Sequence, residues 1–237
     1  MVIGLAALGG AGAMWLAQAS GFAAAADPGK ARVEAIVRDY VLAHPEIIPE
    51  AMQRLQAREA GKTVASNRPA IERPFAGAWA GNPNGDVTIV EFYDYACGFC
   101  RQSLADVNRL TAADRNVRVV FRELPILSAD SEAAARASLA AAEAGKFVAF
   151  HEALYAAGRP SAVTIRATAA KVGLSPARLA AAPAKQAYTR ELTNNLALAR
   201  AVGATGTPTW VVGDQVLSGA IGFEGLRKAV AAARAAR

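Results

Sequence analysis

The sequence predicts an α/β fold: a small sheet interrupted by a long helical stretch, with a helical segment in front. Three observations carry this. The β-branched and aromatic run Val87 to Tyr93 stands directly before Leu104, Val107, Asn108 and Leu110, which recur at helical spacing. Strand character returns at Val117–Phe121 and again from Thr209 to Leu217. Between those strands, Ser131 to about Leu198 is Ala-rich and helical, broken only by Gly and Pro.

Residues 1–26 contain no charged side chain and end in Phe22-Ala23-Ala24-Ala25-Ala26, which offers an Ala-x-Ala cleavage site. That is the pattern of a signal peptide, except that no Lys or Arg precedes Lys30. Either the true start lies upstream of Met1, or the segment remains as a membrane anchor, for which ~20 apolar residues suffice. Cleavage is favoured, because the segment is rich in Gly and Ala and ends in a processing site. In an exported protein a cysteine pair is free to be oxidised.

Residues 27–60 read as two short amphipathic helices. Val33, Ile36, Val37, Tyr40 and Val41 form one apolar stripe; Ile47, Ile48, Ala51, Met52 and Leu55 form the next. His44-Pro45-Glu46 interrupts them, with Pro45 suited to the first helical position and His44 to the cap region. Two such stripes are not buried by each other alone. Self-association through residues 28–60 is expected over docking on the rest of the chain. Residues 61–86, rich in Gly, Pro and Asn, read as a linker that ends in the turn signal Asn84-Gly85. Residues 87–237 form the main domain.

Both cysteines of the chain, Cys97 and Cys100, lie where the first strand hands over to its helix. The free N–H groups and the positive dipole end of a helix start stabilise a thiolate, the reactive form of cysteine. Cys100 follows one turn later, close enough to close a small disulfide ring. Strand, Cys-x-x-Cys, helix is the layout of a thioredoxin-like redox site. Zinc would want four ligands, and beyond the pair the chain offers only His44 and His151, neither at ligand spacing. A structural disulfide gains most by closing a long loop, whereas this ring is nearly the smallest possible.

The second strand, Val117–Phe121, ends before Pro125. The helical stretch that follows is divided at Gly145, Gly158-Arg159-Pro160, Gly173-Leu174-Ser175-Pro176 and Pro183, implying three or four short helices. His151 lies in one of them, with no acid or cysteine pattern around it, and reads as structural. Gly206-Thr207-Pro208 leads into Thr209-Trp210-Val211-Val212, Gly213-Asp214 turns into Gln215-Val216-Leu217, and a last helix runs from about Phe223 to Ala233.

Hydrophobic residues make up 53% and charged residues 19% of the 237, which excludes a disordered chain. The net charge of +6 comes from scattered residues such as Arg32, Arg58, Arg118 and Arg190. No basic run interleaves with aromatics, so no nucleic-acid partner is expected. There is no P-loop, no Gly-x-Gly-x-x-Gly after a strand and no Gly-x-Ser-x-Gly, and no internal repeat.

This order, over nearly all of residues 30–237, resembles the DsbA-type thiol–disulfide oxidoreductases and is most similar to the ScsC-like branch. The resemblance is carried by Glu91-Phe92-Tyr93-Asp94-Tyr95-Ala96-Cys97-Gly98-Phe99-Cys100, Leu124-Pro125-Ile126-Leu127 with Ser131, and Ala133-Ala134. Phe150-His151-Glu152-Ala153-Leu154, Gly206-Thr207-Pro208-Thr209, Arg38-Asp39-Tyr40-Val41-Leu42 and Pro45-Glu46-Ile47-Ile48 complete it. It implies a thioredoxin fold with an α-helical domain inserted at about 129–198. It implies a redox-active disulfide of Cys97 and Cys100, with Cys97 the exposed attacker and Cys100 its buried partner. It also implies a cis Thr207-Pro208 bond facing the cysteines, the alternative being a trans proline that opens an edge strand. Thr207, with Gly206, Gly98 and Phe99, would then meet an extended substrate segment. Glu91 would assist proton movement near the cysteines, or else be an ordinary strand residue, since alternation does not fix its face.

The resemblance further implies a periplasmic oxidoreductase or isomerase with no cofactor and no resident metal. Its partners would be exported proteins with cysteines and a membrane redox partner, a DsbB-like oxidant or a DsbD-like reductant. Gly98-Phe99 supplies no histidine between the cysteines to stabilise the thiolate further, which weakens oxidising power and favours isomerase or reductase work. The alternative is a copper-binding or copper-stress protein that uses the thiol pair for Cu(I), since soft thiolates suit that ion.

Overall fold

The computed structural model describes residues 28–236, so the expected signal or anchor at 1–26 lies outside the described residues. Among the described residues, no helix is long and apolar enough to cross a membrane. The chain divides into two units, Met1–Gln53 and Arg54–Arg237.

In the first unit, α1 spans Pro28–Ala43 and α2 begins at Ile47, its full extent being Ile47–Ile71. Pro45 lies in the turn before α2 and not at its first position. That turn is closed by the His44 N–H on Tyr40 O (2.9 Å) and the Ile47 N–H on His44 O (3.2 Å). Val33, Ile36, Val37, Tyr40, Ile48 and Met52 are exposed.

In the second unit, the expected linker at 61–86 is corrected by the structure. Helix α2 continues to Ile71, and β1 (Trp79–Gly81) follows. Val64 and Ile71, seven residues apart on one face, are fully buried among Val90, Phe92, Val120 and Leu124. The polar look of this stretch comes from outward residues such as Lys62, Ser66 and Pro69. Gly61 lets the helix approach closely, since a Cβ there would stand 3.2 Å from the Asp214 carbonyl oxygen. The helix end is closed by Arg122, whose guanidinium donates to the carbonyls of Ile71 (2.8 Å), Arg73 (2.6 Å) and Ala70, and to Asn195 Oδ1 (2.6 Å).

The sheet has the order β1-β3-β2-β4-β5. Its centre is β2 (Val87–Tyr93), parallel to β3 (Val117–Glu123) and antiparallel to β4 (Thr209–Val212). β1 runs antiparallel to β3, and β5 (Gln215–Ser218) to β4, the latter pair joined through Gly213 at φ +60°. Helix α3 (Gly98–Ala113) connects β2 to β3, and α9 (Gly222–Ala235) ends the fold. Between β3 and β4 lie α4 (Ala129–Glu143), α5 (Phe147–Ala156), α6 (Ala162–Lys171), α7 (Pro176–Ala181), a 3-10 turn and α8 (Gln186–Ala201). Their starts carry local signals: Ser128 accepts the Ser131 N–H, and Ser161 with Thr164 forms a capping box. This is the thioredoxin fold with its helical insert.

Every residue of β2 is buried. Ile89 and Tyr93 pack with Val107 and Leu110 of α3 and Leu226 of α9. Val90 and Phe92 face the opposite side, with Val64 of α2 and Ala199 of α8. The strand is therefore covered on both faces, and its C-terminal end delivers the cysteine turn.

Candidate active site

After Tyr93 the chain leaves β2 and turns at Asp94. The Asp94 carbonyl accepts the Cys97 N–H (3.0 Å), and Asp94 Oδ1 accepts the Ala96 N–H (2.7 Å). The turn places Cys97 at the N-cap of α3, with φ −78° and ψ 119°. Its sulfur accepts the Cys100 N–H (3.4 Å), and its thiol donates to the Thr207 carbonyl (3.2 Å). Both cysteines are free thiols, and both are buried: Cys97, expected to be the exposed member of the pair, is only 6% exposed because its sulfur lies against the Thr207 carbonyl, and Cys100 is 1% exposed. Burial, and then the charge of Glu91, push the Cys100 thiol far up, while a hydrogen bond from the Asp94 backbone opposes the rise.

The Thr207-Pro208 bond is cis. Thr209 Oγ1 donates to the Gly206 carbonyl (2.7 Å), and the Gly219 N–H donates to the Pro208 carbonyl (2.8 Å). Pro208 is buried and Thr207 half-buried. Gly98 and Phe99 are exposed, Phe99 to 63%. Strand pairing sets Glu91 between Phe121 of β3 and Trp210 of β4, on the face of Ile89 and Tyr93 that packs against α3. Glu91 is buried, and burial followed by the Cys97 charge raises its carboxyl well above the usual carboxylate range. Glu91 on β2, the Cys97–Cys100 turn and the Thr207-Pro208 loop thus lie at one place.

A second group of polar residues lies beneath it, and only His151 among them was read individually from the sequence. Tyr95 donates to Ser138 Oγ (2.9 Å) and meets His151 Nδ1 at 3.1 Å; Tyr93 donates to Glu123 Oε1; Tyr155 donates to the Asp94 carbonyl (3.1 Å). Burial lowers His151 to about 3 and raises Glu123 to about 8, so both are neutral near pH 7. His151 stacks on Phe147 at 25° between planes and meets the rings of Tyr93, Phe121 and Tyr155, which makes it a core residue. The available signals are Asp94 just before a turn, where Asp caps its own backbone, and Glu123 as an acid just after the strand run Val117–Phe121. Among the described residues, no group of three or more His, Cys, Asp or Glu could hold a metal ion.

This arrangement can pass a disulfide between the chain and another thiol. Cys97 is at a helix start with its sulfur met by an N–H, Cys100 lies one turn behind it, and a buried acid stands close to both. A family model described as a DSBA-like thioredoxin domain matches residues 88–231, and one described as the copper resistance protein ScsC N-terminal domain matches residues 30–61. A thioredoxin-like oxidoreductase from Silicibacter pomeroyi is 41% identical with a TM-score of 0.68, covering 72% of this chain and 99% of that one. A linker-deletion mutant of Proteus mirabilis ScsC is 27% identical with a TM-score of 0.72, covering 91% and 100%. A curated relative, the Na(+)/H(+) antiporter NhaA 1 of Salinispora arenicola, is 29% identical over 150 residues, 62% of this chain. The chain spans only 23% of that antiporter's length.

Proposed function

The chain belongs to the DsbA-like thioredoxin family of thiol–disulfide oxidoreductases, and from that premise we propose that it exchanges disulfides with exported proteins in the periplasm. The observation that carries this reading is the Cys97 thiol at the N-cap of α3, bonded to the Thr207 carbonyl with Cys100 behind it. In the oxidised form, a substrate thiolate attacks the Cys97 sulfur and the Cys97–Cys100 bond breaks. Cys100 leaves as a thiolate and takes up a proton, as its strongly raised proton affinity favours. A second substrate thiolate then attacks the substrate sulfur of the mixed disulfide and releases Cys97. Two electrons pass from substrate to the cysteine pair. A membrane partner, a DsbB-like oxidant or a DsbD-like reductant, resets the pair. In the reduced form the Cys97 thiolate opens a wrong disulfide, and Cys100 or another substrate thiol resolves it. Glu91 serves as the proton donor and acceptor for Cys100.

The Gly98-Phe99 dipeptide favours isomerase or reductase work over strong oxidation. An isomerase must hold its substrate while testing several pairings, and two or more sites on one assembly raise the effective concentration. The exposed stripe of Val33, Ile36, Val37 and Tyr40, together with the ScsC-type match at 30–61, supports self-association through residues 28–60. Light scattering of residues 27–237 at micromolar concentration should give a mass of two or more chains. Val33→Asp with Ile36→Asp should give one chain that no longer refolds scrambled ribonuclease but still oxidises dithiothreitol. A wild-type monomer would remove both self-association and the support it gives to isomerase work. The 30–61 match also favours a second reading, Cu(I) held by the two thiolates, which predicts copper affinity that vanishes in a cysteine-free variant.

A further inference from the structure

Tyr155 stands on the last turn of α5, in the helical insert, and its side chain is buried. Its ring is held between His151, with centroids 4.9 Å apart, and Tyr95, at 5.0 Å. A buried phenol ordinarily finds a hydrogen-bond partner. The partner here is the Asp94 carbonyl (3.1 Å), which also accepts the Cys97 N–H (3.0 Å). The Asp94 backbone hydrogen-bonds the Cys100 sulfur as well. Among the described residues, the Tyr155 hydroxyl makes the one hydrogen bond from the insert to the backbone of the turn 94–97. Burial, and then the charges of Cys100 and Glu91, hold the phenol well above its ordinary range, so the hydroxyl keeps its proton and remains a donor.

A peptide carbonyl oxygen is partly negative and has room for two donors. The Tyr155 proton offsets part of that charge close to the cysteine pair. It also fixes the direction of the carbonyl, and with it the seat of Cys97 at the N-cap of α3. The reduced pair carries charge whenever a thiolate forms, whereas the disulfide carries none. A donor that offsets negative charge beside the pair therefore favours the reduced form over the oxidised one. We propose that Tyr155 is a positioning residue, acting through the Asp94 carbonyl, by which the helical insert sets the reduction potential of the Cys97–Cys100 pair. The inference rests on the thiol-exchange reading and deepens it: the hydroxyl makes the pair a better electron acceptor than the same turn would be without it. No atom of Tyr155 is exchanged. A hydroxyl that only filled its place in the core would stabilise both redox forms alike and leave the potential unmoved.

The test equilibrates the full chain with reduced and oxidised glutathione. Two glutathione thiols give two electrons and two protons to the Cys97–Cys100 disulfide, leaving one glutathione disulfide and two protein thiols. Tyr155→Phe keeps the ring and removes the hydroxyl. The equilibrium constant should move about fivefold toward the oxidised chain, the scale of one net hydrogen bond, which is about 20 mV more reducing for a two-electron couple. Urea unfolding should show the reduced form losing more stability than the oxidised one. Ring-fluorinated tyrosine at position 155, a stronger donor of nearly the same shape, should move the constant the other way. An unchanged constant in a folded Tyr155→Phe, or equal stability losses in the two redox forms, would overturn the proposal. If that variant does not fold, the fluorinated chain decides, and an unchanged constant there overturns the proposal equally. A wild type that does not equilibrate with glutathione at all would instead remove the thiol-exchange reading, and this inference with it.

Discussion

Replacing Glu123 with Gln should stabilise the protein at pH 8 and change little near pH 4.5. Glu123 ends β3 with its carboxyl fully buried, and burial pushes it from 4.5 up to about 8; hydrogen bonds with Ser138 and Tyr93 pull the other way, and the Asp94 charge adds to the rise. Below 4.5 both the folded and unfolded chains hold the proton, so the group adds no pH dependence there. Between 4.5 and about 8 the unfolded chain binds fewer protons than the folded one, so stability falls as pH rises. That window of about three and a half pH units, at about 1.4 kcal/mol each, sets a loss of at most about 5 kcal/mol. Gln keeps the shape, still accepts from Tyr93 and can donate to Ser138, but it does not titrate. Urea unfolding of both proteins at pH 5, 6.5 and 8 reads the difference, and the comparison cancels the contribution of His151. The Gln variant should lead by about 2–5 kcal/mol at pH 8. Parallel stability curves, or a wild type that gains on the variant as pH rises, would show that Glu123 is ionised in the folded protein and refute the reasoning.

Glu91→Gln should slow closure of the mixed disulfide by about a hundredfold, the scale of a lost general base, measured as persistence of the adduct after rapid mixing. An unchanged closing rate would take Glu91 out of the proton path. Arg122→Met leaves the carbonyls of Ala70, Ile71 and Arg73 without their donor and should lower stability by about 3–5 kcal/mol in urea unfolding; a loss under about 1 kcal/mol would show that Arg122 does not anchor α2. His151, lowered to about 3 by burial, should remain neutral by NMR at pH 5 and contribute stability that is lost as pH falls from 6.5 toward 3. An imidazolium signal at pH 5 would contradict its burial.

The parts of the fold legible in the sequence are those written in local signals. Val87–Tyr93 before the cysteines and the Ala-rich run between the strands needed no partner to be recognised. Residues 61–71 resemble a linker in sequence because only Val64 and Ile71 mark the buried face of the helix, among Gly, Asn and Pro. β1 is three residues long and exists through its pairing with β3, which no local pattern records. Alternation could not orient Glu91 because β2 is covered on both faces, so its apolar residues run without a period. Tyr155 lies in the helical insert, far along the chain from Asp94, and only the tertiary fold brings its hydroxyl to that carbonyl.

Trapping the exchange intermediate tests the central claim, that Cys97 attacks and Cys100 resolves. The reduced Cys100→Ser variant is mixed with scrambled ribonuclease, quenched in acid and mapped by mass spectrometry. The expected result is an accumulating mixed disulfide through Cys97, with none from Cys97→Ser, because Cys97 stands at the N-cap of α3 whereas Cys100 lies a turn further in and its thiol holds its proton far more tightly than usual. An adduct on Cys100 in Cys97→Ser, forming at a comparable rate, would contradict the assignment.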